Sequence, residues 1–275
     1  MKQNNIGFIG AGNMASALLG GLVQDGCKPE RLWVSDPDAA KLQLLSSRLG
    51  VHTHQDNLAI IEQAHVVVLA VKPQVVHQVL QPLAAALKKR RPLIVSVAAG
   101  IRCDSLQTWL DPSLAIVRAM PNTPAMVQSG ATALYANANV STEQHQLAES
   151  IMRAVGLALW VPDEAQLDVV TALSGSGPAY YFLVMEAMQK AGMELGLDEK
   201  TARLLTLQTA FGAAKLALEA EDSPRQLRAR VTSPGGTTEQ AIKVMQEQQL
   251  EAIFARGIQA ACTRSKQLAE QLASN

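Results

Sequence analysis

The first part of the chain alternates short apolar runs with amphipathic stretches, which is the rhythm of a parallel β-sheet covered by helices. Several runs are continuous in Val, Ile and Leu, as is typical of strands buried on both faces. The pattern predicts strands at Ile6–Ile9, Leu32–Ser35, Val66–Val71, Leu93–Val97, Ala115–Arg118, Ala131–Tyr135 and Leu157–Val161. It predicts intervening helices at Asn13–Gln24, Asp38–Leu49, Gln74–Leu87 and Thr142–Val155.

The pattern changes after Pro162, where apolar positions take a helical spacing and Ser/Gly/Pro-rich turns separate long segments. The predicted helices there are Pro178–Leu195, Asp198–Ala220, Thr237–Gln246 and Leu250–Ala273. We therefore predict two domains, an α/β domain with a doubly wound sheet over residues 1–162 and an all-helical domain over residues 163–275.

One predicted helix carries information about assembly. The segment Thr201–Leu218 is apolar on most sides and rich in Ala and Gly. A helix that is apolar all round must be buried, yet a domain of about 110 residues has little interior. We expect burial against a second subunit, with a closely packed monomeric bundle as the alternative.

Composition and charge exclude several classes of function. Apolar residues make up 48% of the 275 residues and charged residues 17%, which is ample material for folded cores. Lys plus Arg number 24, as do Asp plus Glu, so no net charge attracts nucleic acid or an anionic membrane. Aromatic residues are only 4%, and apolar runs such as Val66–Val71 are far shorter than the roughly 18 residues of a membrane helix. We expect a small-molecule substrate and copies of the chain as partners.

The cysteines and the first residues indicate a compartment. Cys27, Cys103 and Cys262 are isolated, with neither a C-x-x-C pair nor a metal-ligand spacing. The chain enters its first predicted strand at Ile6 without a signal segment. We therefore expect a cytoplasmic protein that holds no metal.

The turn after the first strand has the pattern G-x-G-x-x-A, followed by a helix. Gly10 would allow a tight turn, Gly12 would let the backbone approach a pyrophosphate, and Ala15 would let helix and strand pack closely. A glycine-rich turn can also simply join a strand to a helix. Because the strand, the helix and the β-α-β context are all present, the motif favours dinucleotide binding.

The second predicted strand ends in Ser35-Asp36-Pro37-Asp38, about twenty residues after the glycines. An acid there would bind the ribose hydroxyls of NAD, whereas Ser35 and the turn amides could accept a 2′-phosphate, with Lys41 near. Asp36 or Asp38 could instead cap the next helix. The choice between NADH and NADPH stays open.

Three further turns follow predicted strands and would line one crevice at the carboxyl edge of the sheet. Ala70–Gln74 and Ser96–Gly100 carry small residues that leave room for a nicotinamide, although Lys72 alone is ordinary for a solvated turn. Arg118–Pro124 is a rigid turn able to offer polar groups to a carboxamide.

Two motifs stand in the helical half. Thr171–Pro178 is small and hydroxyl-rich, which suits a helix cap and the approach of a nicotinamide or substrate equally. In Ser233–Gln240, Thr237 and Gln240 form a capping-box pattern that would cluster amides and hydroxyls at a positive helix end. Such a cluster suits a small carboxylate, with a plain helix cap as the alternative.

Taken together, these motifs resemble the Δ1-pyrroline-5-carboxylate reductase family over essentially the whole chain. Five segments carry the resemblance: the glycine loop, Ala70–Gln74, Met120–Pro124, Leu173–Tyr180 and Ser233–Thr238. The resemblance implies an N-terminal Rossmann-type domain, an all-helical dimerisation domain, assembly often as five dimers, and an active site between subunits.

The resemblance also implies functional residues. The cofactor, NADPH or NADH, would lie on Ile9, Gly10, Ala11, Gly12, Asn13, Met14, Ser35, Asn57, Ala70, Val71, Lys72, Pro73, Val97, Ala98 and Ala99. The substrate would contact Glu164, Ser233, Gly236, Thr237 and Thr238. Thr238 is the candidate catalytic residue, as a hydrogen-bonding partner of the ring nitrogen, while Gly236 and Thr237 hold the carboxylate.

The implied reaction is hydride transfer from nicotinamide to the imine carbon of a cyclic imino acid, giving proline. A protonated imine is already electrophilic, so orientation and carboxylate binding suffice and no strong general acid is required. One rival is a hydroxyacid dehydrogenase, disfavoured because no lysine follows Gly175-Ser176-Gly177 before Lys190. The other rival is a dinucleotide sensor without catalysis, which would have no need of the Ser233–Thr238 turn.

Overall fold

An eight-stranded sheet forms the centre of the computed structural model, which describes residues 4–273. The strands are β1 (Ile6–Ile9), β2 (Leu32–Ser35), β3 (His52–His54), β4 (Val66–Leu69), β5 (Leu93–Ser96), β6 (Ile116–Met120), β7 (Gly130–Ala136) and β8 (Gly156–Trp160). Their order is β3-β2-β1-β4-β5-β6-β7-β8, so the connections reverse direction between β1 and β4. In open α/β sheets ligands bind at such a switch point.

The sheet departs from the sequence prediction at two strands. The unpredicted β3 pairs with β2 at an edge, and its sequence His-Thr-His gives no apolar signal. β7 runs antiparallel to β6, whereas a wholly parallel sheet was expected. A parallel connection needs a crossover of a dozen or more residues, and residues 121–129 are too few to provide one.

Helices cover both faces of the sheet. They are α1 (Asn13–Gln24), α2 (Ala39–Leu49), α3 (Asn57–Gln63), α4 (Val76–Leu80), α5 (Ala84–Arg90), α6 (Cys103–Trp109), α7 (Thr142–Arg153) and α8 (Gln166–Val170). The predicted helix Gln74–Leu87 is wrong as one element, because a 3₁₀ turn at Gln81–Leu83 separates α4 from α5. Pro82 in that turn lacks the N–H that a continuous helix would use.

The strands are apolar throughout because the core lies on both sides of them. Along β4, Val66 and Val68 join one buried cluster with α1, whereas Val67 and Leu69 join a second with α3 to α6. Successive side chains of a strand point to opposite faces, so a strand buried on both needs apolar residues at every position.

The chain divides into two compact units by internal contacts. The first contains the residues up to Ser176 together with those from Ala261 on, and the second contains Gly177–Ala260. The predicted boundary at residue 162, where the α/β pattern changes to an all-helical one, stays a prediction. Residues 1–3, where the sequence predicts no signal segment, and residues 274–275, which end the second predicted domain, lie outside the described part.

Long helices build the second unit. They are α9 (Gly177–Glu194), α10 (Glu199–Glu219), α11 (Pro224–Arg230), α12 (Thr237–Glu247) and the first part of α13 (Leu250–Ala273). Large apolar side chains of α9 and α10 are exposed, among them Tyr181, Leu205 and Phe211 at 69%, 56% and 63%. Only Ala202 and Thr206 of α10 are buried. A closely packed monomeric bundle would not leave this apolar surface in water.

None of the helices in residues 4–273 is both long and apolar enough to cross a membrane. Within the same residues no group of three His, Cys, Asp or Glu side chains is placed to hold a metal ion. All three cysteines are free thiols, with Cys103 and Cys262 buried.

Candidate dinucleotide site and substrate-binding turn

The glycine loop follows β1, the strand that lies between β2 and β4 in the sheet, and it turns sharply. Gly10 has φ +101°, a conformation that favours glycine, and its N–H donates to the Ser35 carbonyl at 2.7 Å. A Cβ added at Gly10 would lie 2.7 Å from the Ala70 carbonyl oxygen. Gly10 is therefore required by the fold itself.

Gly12, two residues later, is in a different situation. Its φ of −74° suits any residue, and a Cβ added there would meet no heavy atom within 4 Å. Gly12 is the N-cap of α1 and has no side-chain cap bond, so the first N–H groups of that helix are available. Open space in front of a helix N-terminus is what a pyrophosphate requires. Contacts of the neighbouring Ala11, Asn13 and Met14 with a dinucleotide stay a prediction.

Asp36 supports the glycine loop from inside. Its carboxylate is buried and accepts the N–H groups of Ala11 at 2.8 Å and Asp38 at 3.0 Å, with Lys41 Nζ 3.6 Å away. Asp38 caps α2 by accepting the N–H groups of the second and third helical residues. The capping alternative thus describes Asp38, while Asp36 binds the loop that would carry the pyrophosphate.

Ser35 and Asn57, both predicted to bind cofactor, contact each other. Ser35 Oγ lies 2.7 Å from Asn57 Oδ1, and the serine is fully buried. Contact of either side chain with a cofactor stays a prediction. Lys41, half exposed between Asp36 and Asp38, is the basic side chain at this turn.

The remaining predicted cofactor residues meet at one edge of the sheet. Ile9, Leu69 and Ser96 are register partners at the carboxyl ends of β1, β4 and β5. The turns that follow them, Ala70–Pro73 and Val97–Ala99, are consequently neighbours. Two of the three turns predicted to line a crevice are thus adjacent, and their contact with a cofactor stays a prediction.

A cavity of about 300 Å³ lies at this edge, within the first unit. Pro73, Ala99 and Gly100 line it from the strand ends, Thr171 and Ser176 from the segment after α8. The last part of α13 closes it with Ala261, Arg264, Ser265, Leu268 and Leu272. Sequence reasoning missed this contribution, because a plain amphipathic helix gives no chemical signal.

Beside the cavity, a buried polar pair ties α13 to α8. Ser265 Oγ donates to Asp168 Oδ1 at 2.6 Å, and both side chains are buried. The two residues are 97 positions apart, which is why no local pattern could pair them. The pair satisfies polar groups that would otherwise be costly to bury.

Glu164, a predicted substrate contact, is held in the first unit. Its Oε1 accepts from Arg118 Nη1 at 2.9 Å and from the Cys103 N–H at 2.7 Å. Burial raises the pKa of the Cys103 thiol far above its usual range, and the negative charge of Glu164 raises it further. That Glu164 contacts the substrate stays a prediction.

The ion pair between Arg118 and Glu164 should contribute to the free energy of unfolding. Because both side chains are mostly buried, Arg118→Met leaves a desolvated carboxylate without its cation and should lower the free energy of unfolding by about 2–4 kcal/mol. Arg153→Met, which breaks an exposed pair with Glu149, should cost less than about 1 kcal/mol. Chemical denaturation measures the free energy of unfolding of both variants. Equal losses would contradict the conclusion that the buried pair stabilises the fold more than the exposed pair.

The predicted substrate turn belongs to the second unit. The predicted capping box of Thr237 and Gln240 is wrong by one position, because α12 begins at Thr237 and its N-cap is Gly236. Glu239 instead accepts the Gly235 N–H at 2.8 Å, and no side-chain cap bond is made at Gly236. Thr237 and Thr238 are exposed in the first turn, so their hydroxyls and N–H groups are available to an anion.

Comparisons with known proteins agree with this geometry. Residues 164–268 match the family model described as pyrroline-5-carboxylate reductase dimerisation, and residues 5–100 match NADP oxidoreductase, coenzyme F420-dependent. The chain is 52% identical to the pyrroline-5-carboxylate reductase of Pseudomonas aeruginosa over 99% of each chain, and 44% identical to that of Pasteurella multocida over 98% of each.

Solved structures give the same result. A pyrroline-5-carboxylate reductase from Coxiella burnetii is 50% identical, with a TM-score of 0.94 over 97% of this chain and 99% of that one. The Plasmodium falciparum pyrroline carboxylate reductase, solved with NADP bound, is 27% identical, with a TM-score of 0.87 over 98% of this chain and 99% of that one.

The sheet order, the open glycine loop and the oxidoreductase match define the class: this chain is an NAD(P)-dependent oxidoreductase with a Rossmann-type domain and a helical region. The identity along nearly its whole length is more specific. The chain belongs to the pyrroline-5-carboxylate reductase family.

Proposed function

We propose that the chain catalyses NADPH- or NADH-dependent reduction of Δ1-pyrroline-5-carboxylate to L-proline, the final step of proline biosynthesis. One observation carries the proposal. The chain aligns over 99% of its length with a pyrroline-5-carboxylate reductase. It has open space at Gly12 in the glycine loop, and the helix that begins with Thr237 and Thr238 has no side-chain cap. The first suits a pyrophosphate and the second a carboxylate.

The chain's own residues would orient the two reactants. The loops at Ile9–Met14, Ala70–Pro73 and Val97–Ala99 hold the dinucleotide, which supplies the hydride when bound. Ser233, Gly236 and Thr237 hold the substrate carboxylate, and Thr238 hydrogen-bonds the ring nitrogen. Glu164 is a further contact for the substrate.

Thr238 gives the sharpest test of these roles. Thr238→Ala should lower kcat about 10- to 100-fold, because one hydrogen bond to the reacting group is lost, while the Kd for the cofactor changes less than about twofold. Thr142→Ala is the matched control, since Thr142 is also an exposed threonine in the first turn of a helix. Unchanged turnover of Thr238→Ala would remove the assignment.

The assembly is proposed from the exposed apolar faces of α9 and α10 together with the match of residues 164–268 to a dimerisation model. We propose a homodimer through these faces and a decamer of five such dimers, with residues 1–162 binding the dinucleotide and residues 163–275 serving dimerisation and substrate binding. The three free thiols support a cytoplasmic location.

A further inference from the structure

The segment between α8 and α9 forms one π-helical turn, Thr171–Gly175. The Ser176 N–H donates to the Thr171 carbonyl at 2.8 Å, five residues back. The Thr171 and Ser174 hydroxyls bond to carbonyls one turn earlier, at 2.7 and 3.1 Å. Single π turns inside helices recur at functional sites.

One carbonyl of this turn lacks its ordinary partner. In a continuous α-helix the Ser174 carbonyl would accept the N–H of residue 178, and residue 178 is a proline with no N–H. Asn122 supplies a donor instead, since its Nδ2 lies 3.0 Å from the Ser174 oxygen. Its Oδ1 accepts the N–H of Ala131, on β7, at 2.9 Å. These partners fix which end of the amide is nitrogen.

Asn122 is well placed for this role. It follows β6 by two residues, after the buried Pro121. The same strand end also touches the π turn directly, because a Cβ added at Gly175 would lie 2.6 Å from Met120 Cε. Two consecutive residues of the turn, Ser174 and Gly175, are therefore held against the end of β6.

The π turn is also one wall of the 300 Å³ cavity. Thr171 and Ser176 line that cavity together with Pro73 and Ala99, which belong to the loops assigned to the cofactor. If the turn relaxed, Thr171 and Ser176 would move relative to those loops. A misplacement of about 1 Å near reacting groups can cost about 100-fold in rate.

We propose that Asn122 is a positioning residue for hydride transfer, which holds the π turn, and with it the cavity wall, through its bond to the Ser174 carbonyl. This role rests on the proposed function. The amide of Asn122 gives one donor and one acceptor to the backbone through these bonds.

The test uses two matched substitutions. Asn122→Asp keeps the acceptor for Ala131 but cannot donate to Ser174. Asn137 makes the same pair of bonds at the opposite end of β6, accepting from Ile116 at 3.1 Å and donating to Leu114 at 2.9 Å. Asn137→Asp therefore removes an equivalent bond away from the cavity.

For N122D we expect kcat to fall about 10- to 100-fold with the KM for the cofactor within about twofold of wild type. For N137D we expect kcat within about threefold of wild type at a temperature where both variants are folded. Equal losses in the two variants, or an N122D kcat within about threefold of wild type, would overturn the proposal. A wild-type protein without turnover would contradict the proposed function as well.

A pH series on N122D alone gives an independent readout should N137D not fold. Protonation of the introduced carboxyl restores a donor towards Ser174, so the ratio of variant to wild-type kcat should rise as the pH falls from about 7 to about 4, towards the ordinary aspartic acid pKa of about 3.9. A constant ratio over that range would contradict the role of the Ser174 bond. A loss of activity that did not come from the missing donor would not depend on whether the carboxyl at position 122 is protonated.

Discussion

A Gly12→Ala variant should fold as the wild type does and bind reduced dinucleotide roughly 10- to 100-fold more weakly, a loss of about 1.4 to 2.7 kcal/mol. The added methyl group would meet no protein atom, since the space beside Gly12 is open, but it would occupy the space that the pyrophosphate needs. Titration of cofactor fluorescence measures the affinity, and thermal denaturation measures the stability.

Gly10→Ala is the matched substitution with the opposite outcome. At φ +101° and 2.7 Å from the Ala70 carbonyl, the added methyl group strains the fold itself, at a cost of about 2–4 kcal/mol. Its Tm should fall by roughly 5–15 °C. If Gly12→Ala bound cofactor normally, or Gly10→Ala were as stable as wild type, the distinct roles of the two glycines would be wrong.

Phe211→Glu and Leu205→Glu should separate the subunits and abolish most turnover. Both side chains are more than half exposed on α10 of the single chain, and a carboxylate buried unpaired in an interface costs several kcal/mol. Size-exclusion chromatography with light scattering measures the mass in solution, which should fall to that of one chain.

Leu44→Glu provides the control for these interface variants. Leu44 is a leucine of α2 in the first unit with 64% exposure, and it belongs to no predicted interface. This variant should keep the mass and the turnover of wild type. Assembly that survives both Phe211→Glu and Leu205→Glu would contradict the assignment of the α10 face to a subunit interface.

The sequence predicts the buried strands and helices accurately, because burial produces a clear apolar pattern. β1, β2 and α1 begin and end at the predicted residues, because their apolar pattern and the glycine loop mark both ends. Two features of the sheet could not be predicted from the apolar pattern. The polar strand β3 has no apolar pattern to detect, and the direction of β7 depends on how few residues connect it to β6.

At the candidate site, local motifs were predictable and long-range pairs were not. The glycine loop and the start of α12 follow from neighbouring residues, although the capping register was wrong by one position because Gly236 takes the N-cap. The bonds from Asn122 to Ser174 and from Ser265 to Asp168 join residues 52 and 97 positions apart. Only the packing of distant elements brings such partners together.

The central claim is the reaction, and the most direct measurement is the loss of reduced-cofactor absorbance when the purified protein is mixed with Δ1-pyrroline-5-carboxylate. NADH and NADPH are tested in parallel, which also ranks the two cofactors. We predict rapid oxidation of at least one of them with formation of proline. No oxidation of either, by protein shown to be folded and to bind cofactor, would contradict the proposed function and favour a dinucleotide sensor or an oxidoreductase of another substrate.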